Sequence, residues 1–335
     1  MTRSTPSLAP DLAGKPGLLV LHPLTLPLLR GLSGEFNLYD ATAVADRRDF
    51  LRRIPVGEVR AIASIGRDGC NAELFDLLPG LQIVCAVGAG VEGIDLAAAE
   101  ARGIVVTNAG TGNSRDVADH AIALWLAARN RIGAGQAWIM EDRWRTEGLL
   151  PSRRSLSSER IGIVGLGNIG RTVASRAAGF GAEVAWWGPR AKPGESLPRY
   201  PSLLDLANWA TTLIVAARGG DDSRGLIDDR VLAALGPEGL LVNVARGFMV
   251  DEDALISRLR SGALGGAALD VFVEEPAGPD RWLGVPNLVI TPHSAALTNE
   301  ARDQLVSSFH HNLRTVITGK APLNVVSRTA VQPGV

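Results

Sequence analysis

One segment limits the folds open to this chain more than any other. Ile161-Gly162-Ile163-Val164 runs straight into Gly165-Leu166-Gly167-Asn168-Ile169-Gly170, and Arg171 to Phe180 continues at helical spacing. An apolar strand, a glycine turn and a helix in direct succession make one unit of an open parallel sheet. Gly165 permits the tight turn, Gly167 lets a pyrophosphate approach the backbone, and Gly170 lets helix pack on strand. The helix N-terminus supplies N–H donors without intrahelical partners, and Asn168 and Ile169 of the loop are counted with the glycines as cofactor-binding. Three glycines alone fit a purely structural turn equally well; their place between strand and helix favours a dinucleotide.

The same alternation runs along the chain. Short apolar runs at Leu18 to Leu21, Ala61 to Ser64, Gln82 to Ala86 and Ile104 to Thr107 predict buried parallel strands, with helices over Asn71 to Leu78 and Asp95 to Arg102 between them. After a long helix over Ser114 to Asn130, a second one following Gly133 and Gly135, and an aperiodic connector from Glu147 to Ser158, five more strands follow: Ile161 to Val164, Glu183 to Trp187, Thr212 to Ala216, Leu240 to Asn243 and Ala267 to Leu269. A final amphipathic run covers Ala295 to Thr318. At 335 residues, two α/β domains are expected, each with a doubly wound parallel sheet.

Composition narrows the partners. A net charge of -1 gives no general attraction to nucleic acid or anionic membrane, and no window approaches the roughly 20 apolar residues of a membrane span. Cys70 and Cys85 lie outside any metal-type cluster, so no metal site is expected and a cytoplasmic setting fits. The first fifteen residues read as a frayed start, not a signal peptide.

The cofactor can be read further. An NAD-type site carries an acid at the end of the strand after the glycine loop, about 20 residues on. Here that strand ends Ala185-Trp186-Trp187-Gly188-Pro189-Arg190, with no carboxylate. Gly188 leaves room for a 2′-phosphate, and Arg190, aided by Lys192, can pair with it, so NADP is expected over NAD. The alternative is an ordinary solvated loop with weak selectivity.

Three groups fall on loops after strands, where such sheets place their chemistry: Arg246 in Asn243-Val244-Ala245-Arg246-Gly247, Glu275 in Asp270-Val271-Phe272-Val273-Glu274-Glu275-Pro276, and His293 in Thr291-Pro292-His293. Singly, each has a structural reading. Together they match the reduction of a 2-oxo acid, which needs a cation for the carboxylate and a proton donor for the carbonyl oxygen.

These motifs, with Val87-Gly88-Ala89-Gly90-Val91-Glu92-Gly93-Ile94-Asp95, resemble the D-isomer-specific 2-hydroxyacid dehydrogenase family over nearly the whole chain, its glyoxylate and hydroxypyruvate reductase branch in particular. The resemblance implies a cofactor domain at 108–294 inserted into a discontinuous substrate domain of 1–107 with 295–335. It implies His293 as acid/base, Glu275 as its partner, and Arg246 as the clamp on substrate oxygens. The Val87 and Gly88 amides would complete the carboxylate site, Asp270 would accept from the nicotinamide carboxamide, and Ala245 would line the cofactor. His22, His120, His310 and His311 are expected to be structural, Asp119 a neutral replacement, and Glu274 a surface acid. A homodimer is implied, with Trp138 and Trp144 in its contact region. Two other readings stay open: an NAD-dependent dehydrogenase working oxidatively, and a cofactor-sensing, corepressor-like binding protein.

Overall fold

The computed structural model describes residues 14–326; the expected frayed start up to Ala13 and the chain from 327 on lie outside the described residues. The chain divides into two compact units, one formed by the segment up to Gly112 together with that from Thr298, the other by Asn113–Leu297.

The first unit holds β1 (Gly17–Val20), β2 (Asn37–Asp40), β3 (Val59–Ser64), β4 (Ile83–Ala86) and β5 (Val105–Thr107), in the parallel order β2-β1-β3-β4-β5. The second holds β6 (Arg160–Val164), β7 (Glu183–Trp187), β8 (Thr212–Val215), β9 (Leu240–Asn243), β10 (Gly266–Leu269) and β11 (Leu288–Ile290), in the parallel order β11-β10-β9-β8-β6-β7. Both are doubly wound. In each, the strand order reverses beside the unit's first strand, between β1 and β3 and between β6 and β8, and ligands of open α/β sheets bind outside the carboxyl ends of strands at such a reversal.

Every residue of β1, β4, β8, β9 and β10 is buried, as apolar runs covered on both faces require. Two strands fall outside the expected set, and both are edges. β2 reads Asn37-Leu38-Tyr39-Asp40 and is largely exposed; β11 has three residues and none is fully buried. An edge strand needs no continuous apolar run, so neither stands out from its surroundings.

Helices begin where short polar side chains accept from the first turn. Asn71 accepts from the Leu74 amide at 3.0 Å and Asp95 from that of Ala98 at 2.9 Å. Helix Ile132–Met140 starts before Gly133 and Gly135 and contains both, because a glycine costs a helix only about 1 kcal/mol and does not break it. Helix Ser114–Arg129 buries Val117, Ala121, Ile122 and Trp125 against Ile161, Ile163 and Val173 of the second unit. Asp119, expected to be neutral, forms an ion pair with Arg176 and so fastens this helix to the one that follows the glycine loop. Helix Asn299–Thr318 buries Phe309, Leu313 and Val316 with Leu18, Val20, Ala61 and Ile83, which returns the chain to the first sheet. Each such side chain contributes about 1.5–3 kcal/mol of burial.

Candidate active site

The carboxyl ends of β6, β9, β10 and β11 carry the second unit's candidate groups: the glycine loop, Arg246, Glu275 and His293. At β6, Gly165 adopts φ +91°, and a Cβ there would lie 2.4 Å from the Ala217 Cα at the end of β8. Only glycine lets the two loops meet at the reversal point. Gly170 would place a Cβ 2.1 Å from the Gly165 carbonyl oxygen, whereas Gly167 faces open space. The helix beyond starts at Asn168, with Ile169 and Gly170 in its first turn, no side chain capping it and no acidic residue in that turn. Helices starting at Leu203, Asp229, Glu252 and Asn299 are all capped by a side chain. An uncapped helix start beside an open glycine fits a phosphate group, whose oxygens take the unpaired N–H donors.

The Gly165 amide donates to the Trp187 carbonyl at 2.8 Å, which brings the end of β7 beside the glycine loop. Arg190 and Lys192 are exposed on the segment that follows. Gly188 is buried; its carbonyl accepts from Arg199 at 2.8 Å, and a Cβ would press on the Trp186 ring at 3.1 Å. A side chain at this position would therefore have to push the Trp186 ring aside by a few tenths of an ångström.

Arg246 follows β9. Asn243 closes its loop, accepting from the Ala245 amide and donating to the Arg246 carbonyl, each at 3.0 Å. Ala245 is buried, and its carbonyl accepts from the Arg246 guanidinium at 2.8 Å. Gly247 would drive a Cβ to within 1.8 Å of the Phe272 backbone, so the arginine loop lies directly on the loop that carries Glu275.

Glu275 is held at both oxygens. Oε1 accepts from the Phe272 amide at 3.0 Å, and Oε2 lies 2.9 Å from Nδ1 of His293. The carboxylate side chain is 13% exposed and the imidazole 49%, so the acid is sheltered while the ring is open on one side. Against a carboxylate, Nδ1 carries a proton, which leaves Nε2 as the ring nitrogen not engaged by Glu275. His293 itself sits at φ +50°, a conformation costing a non-glycine residue about 1–2 kcal/mol. Its amide donates to the carbonyls of Asp270 at 2.9 Å and Thr291 at 3.0 Å, which hold the residue there. Glu274, by contrast, is exposed.

Asp270 has a task that sequence reasoning missed. Its side chain is 1% exposed and accepts from the Thr291 hydroxyl at 2.6 Å, the Ser294 amide at 2.8 Å and the Ala295 amide at 3.0 Å. Asp270, expected as an acceptor for a nicotinamide amide, also organises the loop bearing His293 from within, and Oδ2 takes only the Ala295 amide among these bonds.

In the first unit, the loop after β4 is pinned on both sides. Gly88 accepts from the Ala109 amide at 3.0 Å, Ala89 from the Asn108 side chain at 2.7 Å, and a Cβ on Gly66 would meet the Gly90 carbonyl oxygen at 2.1 Å. The expectation for Val87 is corrected here. Its amide donates to the Ser64 carbonyl at 2.7 Å, continuing the β3–β4 ladder, and one N–H cannot serve both that bond and a substrate carboxylate. Gly88 has no side chain within the loop's opening: the nearest atom to a Cβ placed there is 3.9 Å away.

Other chemistries find less support. Cys70 and Cys85 are free and buried, and burial pushes their thiols up to about 11 and about 12, so neither is a ready nucleophile near neutral pH. Among the described residues, no cluster of three or more His, Cys, Asp or Glu is arranged to hold a metal ion, and no helix is long and apolar enough to cross a membrane.

A dinucleotide-type loop and a carboxylate-backed imidazole on one sheet edge define a class: an oxidoreductase that works with a nicotinamide nucleotide. Comparison with known proteins narrows it. Residues 122–295 match the model of the D-isomer specific 2-hydroxyacid dehydrogenase family, NAD binding domain. The chain is 35% identical to a 2-ketogluconate reductase of Gluconobacter oxydans (strain 621H), over 94% of its own length and 100% of the relative's. It is 36% identical to a hydroxyphenylpyruvate reductase of Plectranthus scutellarioides, over 92% and 98%. The structure of an NADPH-dependent glyoxylate/hydroxypyruvate reductase from Sinorhizobium meliloti, in complex with NADP and malonate, superposes with a TM-score of 0.83 at 33% identity, covering 95% of this chain and 98% of that one. The chain belongs to the D-isomer-specific 2-hydroxyacid dehydrogenase family, in the branch similar to the glyoxylate and hydroxypyruvate reductases. It is an oxidoreductase acting on 2-oxo or 2-hydroxy acids with a nicotinamide cofactor.

Proposed function

We propose that this enzyme reduces a small 2-oxo acid of the glyoxylate or hydroxypyruvate type to the D-2-hydroxy acid, with NADPH preferred over NADH. The observation that carries the reading is the 2.9 Å contact between His293 Nδ1 and Glu275, which fixes the ring and leaves Nε2 for a substrate. The nucleotide, when bound, supplies the hydride. Everything else falls to the chain. Gly165, Gly167, Asn168, Ile169 and Gly170 seat the pyrophosphate, and Arg190 with Lys192 pairs with the 2′-phosphate. Ala245 closes the wall beside the nicotinamide. Arg246 holds the substrate carboxylate and carbonyl oxygen, and Gly88 adds a backbone donor for the carboxylate. His293, carrying a proton on each ring nitrogen, gives the one on Nε2 to the carbonyl oxygen as hydride arrives at the carbon, so that the oxygen ends as a hydroxyl and the ring as the neutral Nδ1–H form; Glu275 steadies the imidazolium before the transfer.

In this reading the unit Asn113–Leu297 is the nucleotide domain and the discontinuous unit binds substrate. The two reduced cysteines favour a cytoplasmic enzyme. The decisive experiment is a panel of 2-oxo acids, including glyoxylate, hydroxypyruvate, 4-hydroxyphenylpyruvate and 2-ketogluconate, each assayed with NADPH and NADH. Turnover of a small 2-oxo acid with NADPH ahead of NADH is expected. Cofactor binding without turnover of any of them would overturn the proposal.

A further inference from the structure

His120 lies on helix Ser114–Arg129, far in sequence from the catalytic groups, and its side chain is 23% exposed. Its Nε2 is 2.9 Å from the Thr291 hydroxyl oxygen, and that hydroxyl is 2.6 Å from Asp270 Oδ1. A hydroxyl has one proton to give. Asp270, already taking two backbone amides, acts as an acceptor, so Thr291 donates to it and must accept from His120. The proton on His120 is therefore placed at Nε2. The result is a directed chain from His120 Nε2 through Thr291 Oγ1 to Asp270 Oδ1, with the Ser294 amide entering at the same oxygen and the Ala295 amide at the other.

This chain closes around His293. Thr291 is two residues before it, Ser294 follows it, and its amide donates to the Asp270 and Thr291 carbonyls. Because His293 sits at φ +50°, its backbone conformation needs external support, and the buried polar groups on both sides provide it. Without His120, the Thr291 hydroxyl lacks its donor, and the segment that aims the imidazole at Glu275 loses one of its fixed points.

We infer that His120 is a positioning residue, which acts through Thr291 and Asp270 to hold His293 in the orientation that reaches Glu275. The inference rests on His293 being the proton donor for its catalytic consequence, but the geometric part can be tested apart from activity. In the ligand-free full-length protein, the downfield Nδ1 proton resonance of His293, assigned by its loss in His293→Asn, reports the bond to Glu275. In His120→Leu and in Thr291→Val that resonance should broaden or vanish. In His120→Gln, whose amide nitrogen can replace Nε2, it should persist.

On the best 2-oxo acid, His120→Leu should lower kcat roughly tenfold or more, the scale expected when a reacting group is misplaced. The nucleotide Kd should change little, and His120→Gln should recover most of the kcat. An unchanged His293 resonance in both the Leu and Val variants overturns the inference, as does equal loss in the Gln and Leu variants. Should His120→Leu fail to fold, Thr291→Val carries the same test. If the wild type turns over no 2-oxo acid while the resonance still follows this pattern, the catalytic reading fails and the positioning role stands.

Discussion

At the scale of single residues, the candidate site divides into groups whose neighbours fix them and groups left free to meet a ligand. His293 is of both kinds: Nδ1 is committed to Glu275 at 2.9 Å, while the side chain as a whole is 49% exposed. Replacing it by Gln keeps a hydrogen-bonding side chain but removes the imidazole that can pass a proton to the substrate. We expect kcat to fall by about two or more orders of magnitude, the typical contribution of a positioned acid/base. Steady-state assay of His293→Gln checks this, and a near-normal kcat removes the imidazole from the mechanism. Arg190 has no such preset orientation; it stands exposed beyond Gly188. Arg190→Ala should raise KM for NADPH well above any rise for NADH, because only the former carries the 2′-phosphate that a guanidinium pairs with. Equal changes for both nucleotides would show that the phosphate is read elsewhere. Glu275 and His293 were legible from sequence because each sits beside a proline in a short motif. The engagement of the Val87 amide was not, since it depends on the register of β3 against β4, which no residue near Val87 announces. His120 was read as structural for a similar reason: its partner Thr291 is distant in the chain.

At the scale of elements, legibility followed burial. Strands covered on both faces, such as β4 and β9, appear as unbroken apolar runs, whereas β2 and β11 are edges with polar or very short sequences. The return of the last helix to the first sheet was implied by resemblance, and the contacts now give it a physical cause. Besides its apolar face, helix Asn299–Thr318 carries Arg314, whose guanidinium makes two 2.7 Å bonds to the Glu35 carboxylate on helix Leu32–Glu35. Hydrogen bonding from Arg314 holds the Glu35 carboxyl below its ordinary value of 4.5. A carboxyl depressed in the folded state contributes stability that is fully present above its unfolded pKa and is lost as pH falls through the folded one. The side chains are 43% and 33% exposed, so solvent screening limits the pair to about 0.5 kcal/mol. Glu35→Gln should therefore lower the urea midpoint slightly at pH 7, and its curve should approach that of the wild type at pH 3.5. A gap of the same size at both pH values would mean that charge at Glu35 is not the source of the effect.

At the scale of the whole molecule, one helix has no explanation within a single chain. Ile132–Met140 reads Ile-Gly-Ala-Gly-Gln-Ala-Trp-Ile-Met and buries none of its residues. Ile132, Ile139 and Met140 are 61%, 59% and 79% exposed, and beyond them Trp144 and Leu149 are 57% and 81% exposed. A helix that is apolar around most of its circumference is stable in water only when something covers it, and contiguous exposed apolar surface marks an interaction face. The Trp138 side chain is already tied locally, donating to the Gly148 carbonyl at 2.9 Å with the Arg143 guanidinium 3.7 Å over its ring, so the apolar residues around it form an ordered surface. We propose a second copy of this chain as the cover, joined by a two-fold axis so that the same helix serves both partners. Sedimentation of the wild type at micromolar concentration should give about twice the chain mass of 35.3 kDa. Ile139→Glu combined with Met140→Glu should halve it, because two carboxylates per subunit would be buried without partners at the interface. Both side chains project into solvent in the single chain, so the double variant should keep the wild-type circular dichroism spectrum, which separates loss of assembly from loss of fold. A wild type that sediments as a monomer, or a double variant that remains a dimer, would assign this face to some other partner.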